Sequence, residues 1–333
     1  MNLEPCSIMP EAGLGHRLLD YRQRTAEFFF KPVHAKPLAA LRIGLACILL
    51  VQAYMMRRDC LEFFAENGFV QRPLAAYLGV AHTPSIAWIV KAFAHWNIGE
   101  SACIYSVSGA YVVALVLMLF GLWTRLSTLS AWFLHWLLMY SSYATNYGVD
   151  LFAHVFLFYL MFLPAGAAWS LDVKWRGVNP AATPMARLGL RIIQLHLCIM
   201  YLASGLEKAT GIQWWNGELL WRALQLPVYR QFDMSWLAHY PLLPMIGGWT
   251  TLMVETLYCI FIWPRRTRRL WIFAICCLHG GIIVFLGLSL FGATMCILTL
   301  SAFGVSTEPR CQAEASHWQA LILNRRRPAA SFS

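Results

Sequence analysis

Apolar residues in this chain run in long blocks, without the strict alternation of a half-buried strand. A helix that crosses a bilayer needs about 20 mainly apolar residues. On that ruler eight blocks qualify, at about residues 38–56, 101–123, 127–144, 149–165, 187–206, 241–263, 270–287 and 289–305. The last two are short and meet at Gly287-Leu288-Ser289. The stretch 84–97 is too short and too polar to span, and 212–240 is rich in Trp, Tyr and Arg; both read as interfacial or re-entrant segments on the outer side. The pattern predicts an all-α, polytopic membrane protein with about eight transmembrane helices. Residues 1–37 form a basic arm, 38–305 the membrane domain and 306–333 a short tail.

Composition agrees with the pattern. Of 333 residues, 59% are hydrophobic and 13% charged, against roughly 45–50% and 25% in soluble domains. The mean hydropathy is +0.54. These values exclude disorder, coiled coils and a soluble enzyme, and the 15 Trp, 13 Tyr and 20 Phe suit anchoring at two lipid interfaces. The net charge of +10 does not point to nucleic acid. The basic residues sit in short runs between apolar blocks, as in Pro264-Arg265-Arg266-Thr267-Arg268-Arg269, and not along one groove-fitting face. With the N-terminus inside, seventeen Lys/Arg fall on cytoplasmic stretches and seven on outer ones, while Arg42 and Arg191 lie within spans. That asymmetry favours eight spans with both termini cytoplasmic, as in a bacterial inner-membrane protein. The first 37 residues are mixed polar and carry no cleavable signal peptide. Most of the ten cysteines lie inside apolar blocks, where a thiol behaves as a small hydrophobe, and no zinc spacing is present. A Cys60–Cys103 disulfide near the outer surface is the one pairing the positions suggest.

Ionisable groups at membrane depth are costly, so each is a functional candidate. Asp150 and His154 open the fourth block at i and i+4, neighbours on one helical face. A carboxylate there fixes an imidazole's tautomer; equally, Asp150 caps the helix and His154 bonds a neighbouring span. On the fifth block Arg191, Gln194 and His196 precede Tyr201-Leu202-Ala203-Ser204-Gly205-Leu206-Glu207-Lys208, and Gln213-Trp214-Trp215-Asn216-Gly217 follows. Lys208 reads either as an ordinary interfacial lysine or as an amine desolvated by Trp214 and Trp215, able to serve as a base. Glu255 and His279 stand inside the sixth and seventh blocks, as partners of helix–helix hydrogen bonds or as site residues. No Walker A, HExxH, GxSxG or third metal ligand beside Asp150 and His154 is visible, and no metal is expected.

At these residues the chain resembles a known family, the horizontally transferred transmembrane (HTTM) domain proteins, which include the vitamin K-dependent gamma-carboxylase. The resemblance covers about residues 27–304. It begins at Phe30-Lys31-Pro32-Val33-His34-Ala35-Lys36-Pro37-Leu38 and Leu41-Arg42-Ile43-Gly44, and continues through Trp169-Ser170-Leu171-Asp172. It is most specific from Tyr201 to Gly217 and closes with His279 and Gly287-Leu288-Ser289-Leu290-Phe291. It implies a reduced quinone as cofactor, dioxygen as co-substrate and a lysine base, which Lys208 matches. Proton abstraction from carbon would follow, as in the carboxylase. Asp150, His154 and His279 would orient or relay protons; Tyr201, Trp214, Trp215 and Glu255 would border the quinone. The family's histidine near the fourth span falls at Val149 or Asp150, with His154 one turn on.

The carboxylase's large luminal region has no counterpart after the last span, so a partner protein supplying a soluble domain is expected. The expected activity is a quinol- and oxygen-dependent, lyase-type enzyme acting on a peptide or lipid-side substrate. The alternative is a non-catalytic membrane partner or a peptide maturation or export component. The two are discriminated by whether a quinone-sized apolar pocket lies beside Lys208.

Overall fold

The computed structural model describes residues 14–69, 71–78, 83–142, 145–177 and 181–308. Among these residues the chain is all-helical, its extended pairing being one antiparallel bridge between Val33 and Thr183. The helices run in the order α1 Leu14–Phe30, α2 Lys36–Met56, α3 Cys60–Phe64, α4 Arg72–Leu78, α5 Ile86–Phe93, α6 Glu100–Phe120 and α7 Thr124–Ser141. Then follow α8 Gly148–Phe162, α9 Leu171–Arg176, α10 Pro184–Thr210, α11 Ile212–Trp215 and α12 Glu218–Gln225. Last come α13 Leu242–Phe261, α14 Arg265–Leu286 and α15 Ser289–Thr299, the last extended by a π-helical turn to Gly304. All eight apolar blocks are helical. Four helices, α2, α6, α10 and α14, are long and apolar enough to cross a membrane; α8 and the α15 segment are shorter apolar helices. The stretch 84–97 folds as α5 and a 3₁₀ turn, and 212–240 as α11, α12 and the 3₁₀ turn Ser235–His239. Most of the tail, with Arg325, Arg326 and Arg327, lies outside the described residues.

Local signals explain the boundaries. Pro37 sits in the first turn of α2, where its missing N–H costs nothing. Thr183 caps α10 by accepting the Ala186 amide at 3.2 Å, ahead of Pro184. The α6–α7 turn carries Trp123 at φ 44°, and Asp172 holds it there. Its carboxylate accepts the Trp123 and Thr124 amides at 2.8 Å each and the Thr124 hydroxyl at 2.7 Å. This carboxylate therefore serves as the N-terminal cap of α7 from another part of the chain.

Neighbours in sequence pack together, α6 on α7, α7 on α8 and α14 on α15, and α10 packs on α13 past the short helices α11 and α12. The central element is α2, which also touches α6, α8, α10 and α15. It buries Leu38, Leu41, Leu45 and Leu49 together with Arg42, which is 0% exposed. Arg42 donates to the Ala165 and Trp169 carbonyls at 3.0 and 2.5 Å. These bonds tie α2 to the backbone that follows α8.

The two ends of the bundle differ in charge. At one end lie the start of α2, the α6–α7 turn, α9 and the start of α14, with Lys36, Arg125, Lys174, Arg176 and Arg265 to Arg269. Arg191 joins them, its guanidinium 4.0 Å from the Phe28 ring and 5.2 Å from the Trp263 ring. At the other end, the end of α2 and the starts of α6, α8 and α15 meet around one cavity. The Cys60–Cys103 disulfide is not formed: both are free thiols, and Cys60 Sγ donates to the Met56 carbonyl at 3.4 Å. The thiol is satisfied by the last carbonyl of α2.

Candidate active site

The less basic end of the bundle holds two polar clusters. The first stands on α10 and α13. Tyr201, Ser204, Gly205 and Lys208 recur at three- and four-residue spacing and so share one face of α10. This face packs on α13 so closely that a Cβ on Gly205 would fall 2.8 Å from the Thr256 backbone nitrogen. The close approach brings Lys208 Nζ to 2.7 Å from Glu255 Oε2. The Glu255 side chain is 7% exposed and that of Lys208 24%, so the pair is buried at its acidic end and open at its basic end. Lys208 also donates to the Ser204 hydroxyl, and its ammonium lies 5.6 Å from the Trp214 ring centre. Lys208 is thus one half of an ion pair, where sequence reasoning treated it and Glu255 as separate candidates.

Below the pair, the Tyr201 hydroxyl lies 2.9 Å from His279 Nε2, bridging α10 to α14. Tyr201 stacks on Tyr258 at 4.3 Å between ring centres, and His279 Nδ1 has no partner. Trp215 turns away from this cluster. Its indole donates to the Ala209 carbonyl at 2.8 Å and its ring is 46% exposed, so Trp214 alone of the two tryptophans faces the lysine.

The second cluster surrounds Asp150 at the start of α8. The Asp150 carboxylate accepts the Gln52 amide at 2.6 Å and the Tyr147 backbone N–H at 3.1 Å. The latter bond satisfies an orphan donor at the helix start. His154 takes no part in it. The His154 ring stacks on Trp132 and His135, at 5.2 and 5.8 Å between centres, and its Nδ1 has no partner. The i, i+4 spacing set the two residues on one face, but both carboxylate oxygens of Asp150 point to other groups. His135 instead bonds the Asp150 backbone carbonyl at 3.1 Å through Nε2 and the Tyr111 hydroxyl at 3.1 Å through Nδ1.

A cavity of about 560 Å³ opens on this second cluster, bordered by Gln52, Tyr111, His135, Asp150 and apolar residues such as Met56 and Leu290. Lys208 is not among its lining residues. Phe291 stands between the clusters: its ring centre is 5.8 Å from that of His279, and the ring would meet a Cβ on Gly148 at 2.8 Å. Sequence reasoning passed over Gln52, Tyr111, Ser204 and His135. His135 carried the same signal as His154, an imidazole inside an apolar block. Gln52 and Tyr111 carried none, because their partners lie on other helices.

The fold and these clusters define an integral membrane protein with buried, paired ionisable groups near one end of a helical bundle. The HTTM domain profile matches residues 30–305, most of the chain, and the protein belongs to the HTTM domain family. Comparison with curated proteins and with solved structures returns no match.

Proposed function

We propose that this protein is a quinol- and oxygen-dependent membrane enzyme, lyase-like in its chemistry, that removes a proton from carbon in a peptide or lipid-side substrate. The observation that carries the reading is the Lys208–Glu255 pair, with nitrogen and oxygen 2.7 Å apart and Ser204 and Trp214 beside the nitrogen. Lys208 Nζ is the base. When Glu255 takes a proton from it, Nζ is left with a lone pair, which rotation about the Cε–Nζ bond turns to the open end of the pair; a later proton returns by the reverse rotation. Tyr201 and His279 extend this path inward. A reduced quinone, when bound, supplies the electrons that turn dioxygen into a base strong enough for a carbon acid. The apolar cavity expected beside Lys208 lies instead beside Asp150, across Phe291 from the lysine; its size and apolar walls suit such a group, and Phe291 would have to move for the base to reach it. The chain spans a bacterial inner membrane eight times with both termini cytoplasmic, and its site faces outward. A partner protein brings the soluble substrate-binding domain.

Oxygen uptake by purified protein with reduced menaquinone, ubiquinone or vitamin K tests this. Lys208→Arg is the informative variant, because it keeps a cation opposite Glu255 while guanidinium stays protonated. Wild type is expected to consume oxygen, and Lys208→Arg and Lys208→Ala are both expected to be inactive. No uptake by wild type above the variants with any quinol overturns the enzyme reading. The ion pair itself favours a second reading in that event, a non-catalytic membrane partner in which Lys208 and Glu255 tie α10 to α13.

A further inference from the structure

The hydrogen-bond directions around the cavity decide what kind of group it can hold. A backbone carbonyl only accepts, so the 3.1 Å contact between His135 Nε2 and the Asp150 carbonyl places the ring proton on Nε2. His135 is 4% exposed, and the one carboxylate lining the cavity, Asp150, turns its oxygens to Gln52 and the Tyr147 amide and not to the ring, so the buried imidazole is neutral. Its Nδ1 is then an acceptor, and the Tyr111 hydroxyl must donate to it across 3.1 Å. With its proton committed to His135, Tyr111 offers the cavity lone pairs alone.

Two neighbouring polar groups also spend a proton on the backbone. Ser142 donates its hydroxyl to the Leu138 carbonyl, and Asn146 donates to the Met139 carbonyl at 2.8 Å and keeps its own carbonyl. Asp150 holds a carboxylate that already receives Gln52. Donors are present on other lining residues: Arg57 keeps N–H groups beyond the one that bonds the Tyr54 carbonyl, Gln52 keeps one beyond the one given to Asp150, and Tyr105 and Tyr147 carry hydroxyls, so the discrimination rests on the Tyr111 oxygen and not on the lining as a whole.

We infer that Tyr111, oriented by His135, is the specificity-determining acceptor of this cavity, which retains an apolar ligand bearing a hydroxyl and discriminates against the same ligand without a donor. The inference rests on the proposed function for the natural ligand's identity, where it amounts to holding the hydroxyl-bearing form and releasing the carbonyl form. Its physical basis is asymmetric: an acceptor oxygen set against Tyr111 leaves both desolvated and unpaired.

A redox-inert pair of probes tests it: an alkylphenol and the alkylanisole of the same chain length, titrated calorimetrically into detergent-solubilised protein. Wild type is expected to bind the phenol about five- to tenfold more tightly, the worth of one neutral hydrogen bond and its lost alternative. Tyr111→Phe should bring the ratio to within about twofold. His135→Leu should also narrow it, by freeing the Tyr111 proton to donate to the ether oxygen, and it decides the matter if Tyr111→Phe does not fold. Equal affinities in wild type, no binding of either probe, or a ratio unchanged in both variants overturns the assignment. Because no turnover is measured, absent oxygen uptake with an intact phenol preference counts against Lys208 and leaves Tyr111 standing; the converse result does the opposite.

Discussion

Lys208 and Glu255 show how a pairing changes the meaning of each residue. Alone, an outer-side lysine contributes little to stability, and its removal would be mild. Opposite Glu255, which is 5% exposed, the same removal leaves a buried carboxylate without its counter-charge. Lys208→Met is therefore expected to destabilise the protein by about 2–3 kcal/mol, the low end for a buried pair because the lysine keeps some exposure. Glu255→Leu added to it should recover most of that loss, so the two effects are strongly non-additive. Unfolding of the two single variants and the double variant in mixed micelles measures the coupling; additive losses would show that the pair does not act as one unit. Sequence alone named both residues as candidates, but it could not pair them, because they are 47 positions apart. Asp150 and His154 show the reverse: spacing made them neighbours, while Gln52 and Trp132, on other helices, set their contacts.

Among the helices, α7 depends on a residue outside itself. Burial raises the Asp172 carboxyl, but the Thr124 amide and hydroxyl and the Trp123 amide outweigh it, with Arg176 adding to them, so its pKa lies below the usual value of 3.8. A carboxyl whose folded pKa is depressed stabilises the fold above its unfolded pKa, and this contribution is lost as pH falls through the folded value. Asp172→Ala is expected to cost about 1 kcal/mol near neutrality, as for loss of a helix cap. The gap in melting temperature from wild type should stay constant down to about pH 4 and close below it. A gap that does not change with pH would mean that the carboxylate's charge is irrelevant to the cap. The motif Trp169-Ser170-Leu171-Asp172 was visible in the sequence as part of the family resemblance. Its role was not, since the amides it caps lie 48 and 49 positions earlier.

For the whole molecule, the distribution of charge makes the strongest statement about placement. Arg265 to Arg269 lie at the opposite end of the bundle from Lys208 and the cavity. On the proposed topology the more basic end is the cytoplasmic one, which turns the proposed site outward. On a cysteine-less background, Gln213→Cys, an exposed position, is expected to react with a membrane-impermeant maleimide in intact cells. Arg266→Cys should react only after the membrane is permeabilised. Labelling of Arg266→Cys from outside would invert the topology and turn the site toward the cytoplasm.

The chain's apolar blocks by themselves determined its helices, its membrane class and the grouping of its charges. These follow from local composition and from the length a helix needs to cross hydrocarbon, and neither quantity requires knowledge of distant contacts. The Tyr201–Gly217 stretch likewise marked the family. Tertiary structure alone decided that Lys208 meets Glu255, that Asp150 meets Gln52, that His135 rather than His154 completes the polar floor, and that Phe291 separates the base from the cavity. Each of those facts depends on rotation and register between helices far apart in sequence. In a membrane, packing of small residues such as Gly205 and Gly148 sets that register, and an apolar block carries no trace of which of its faces will be met.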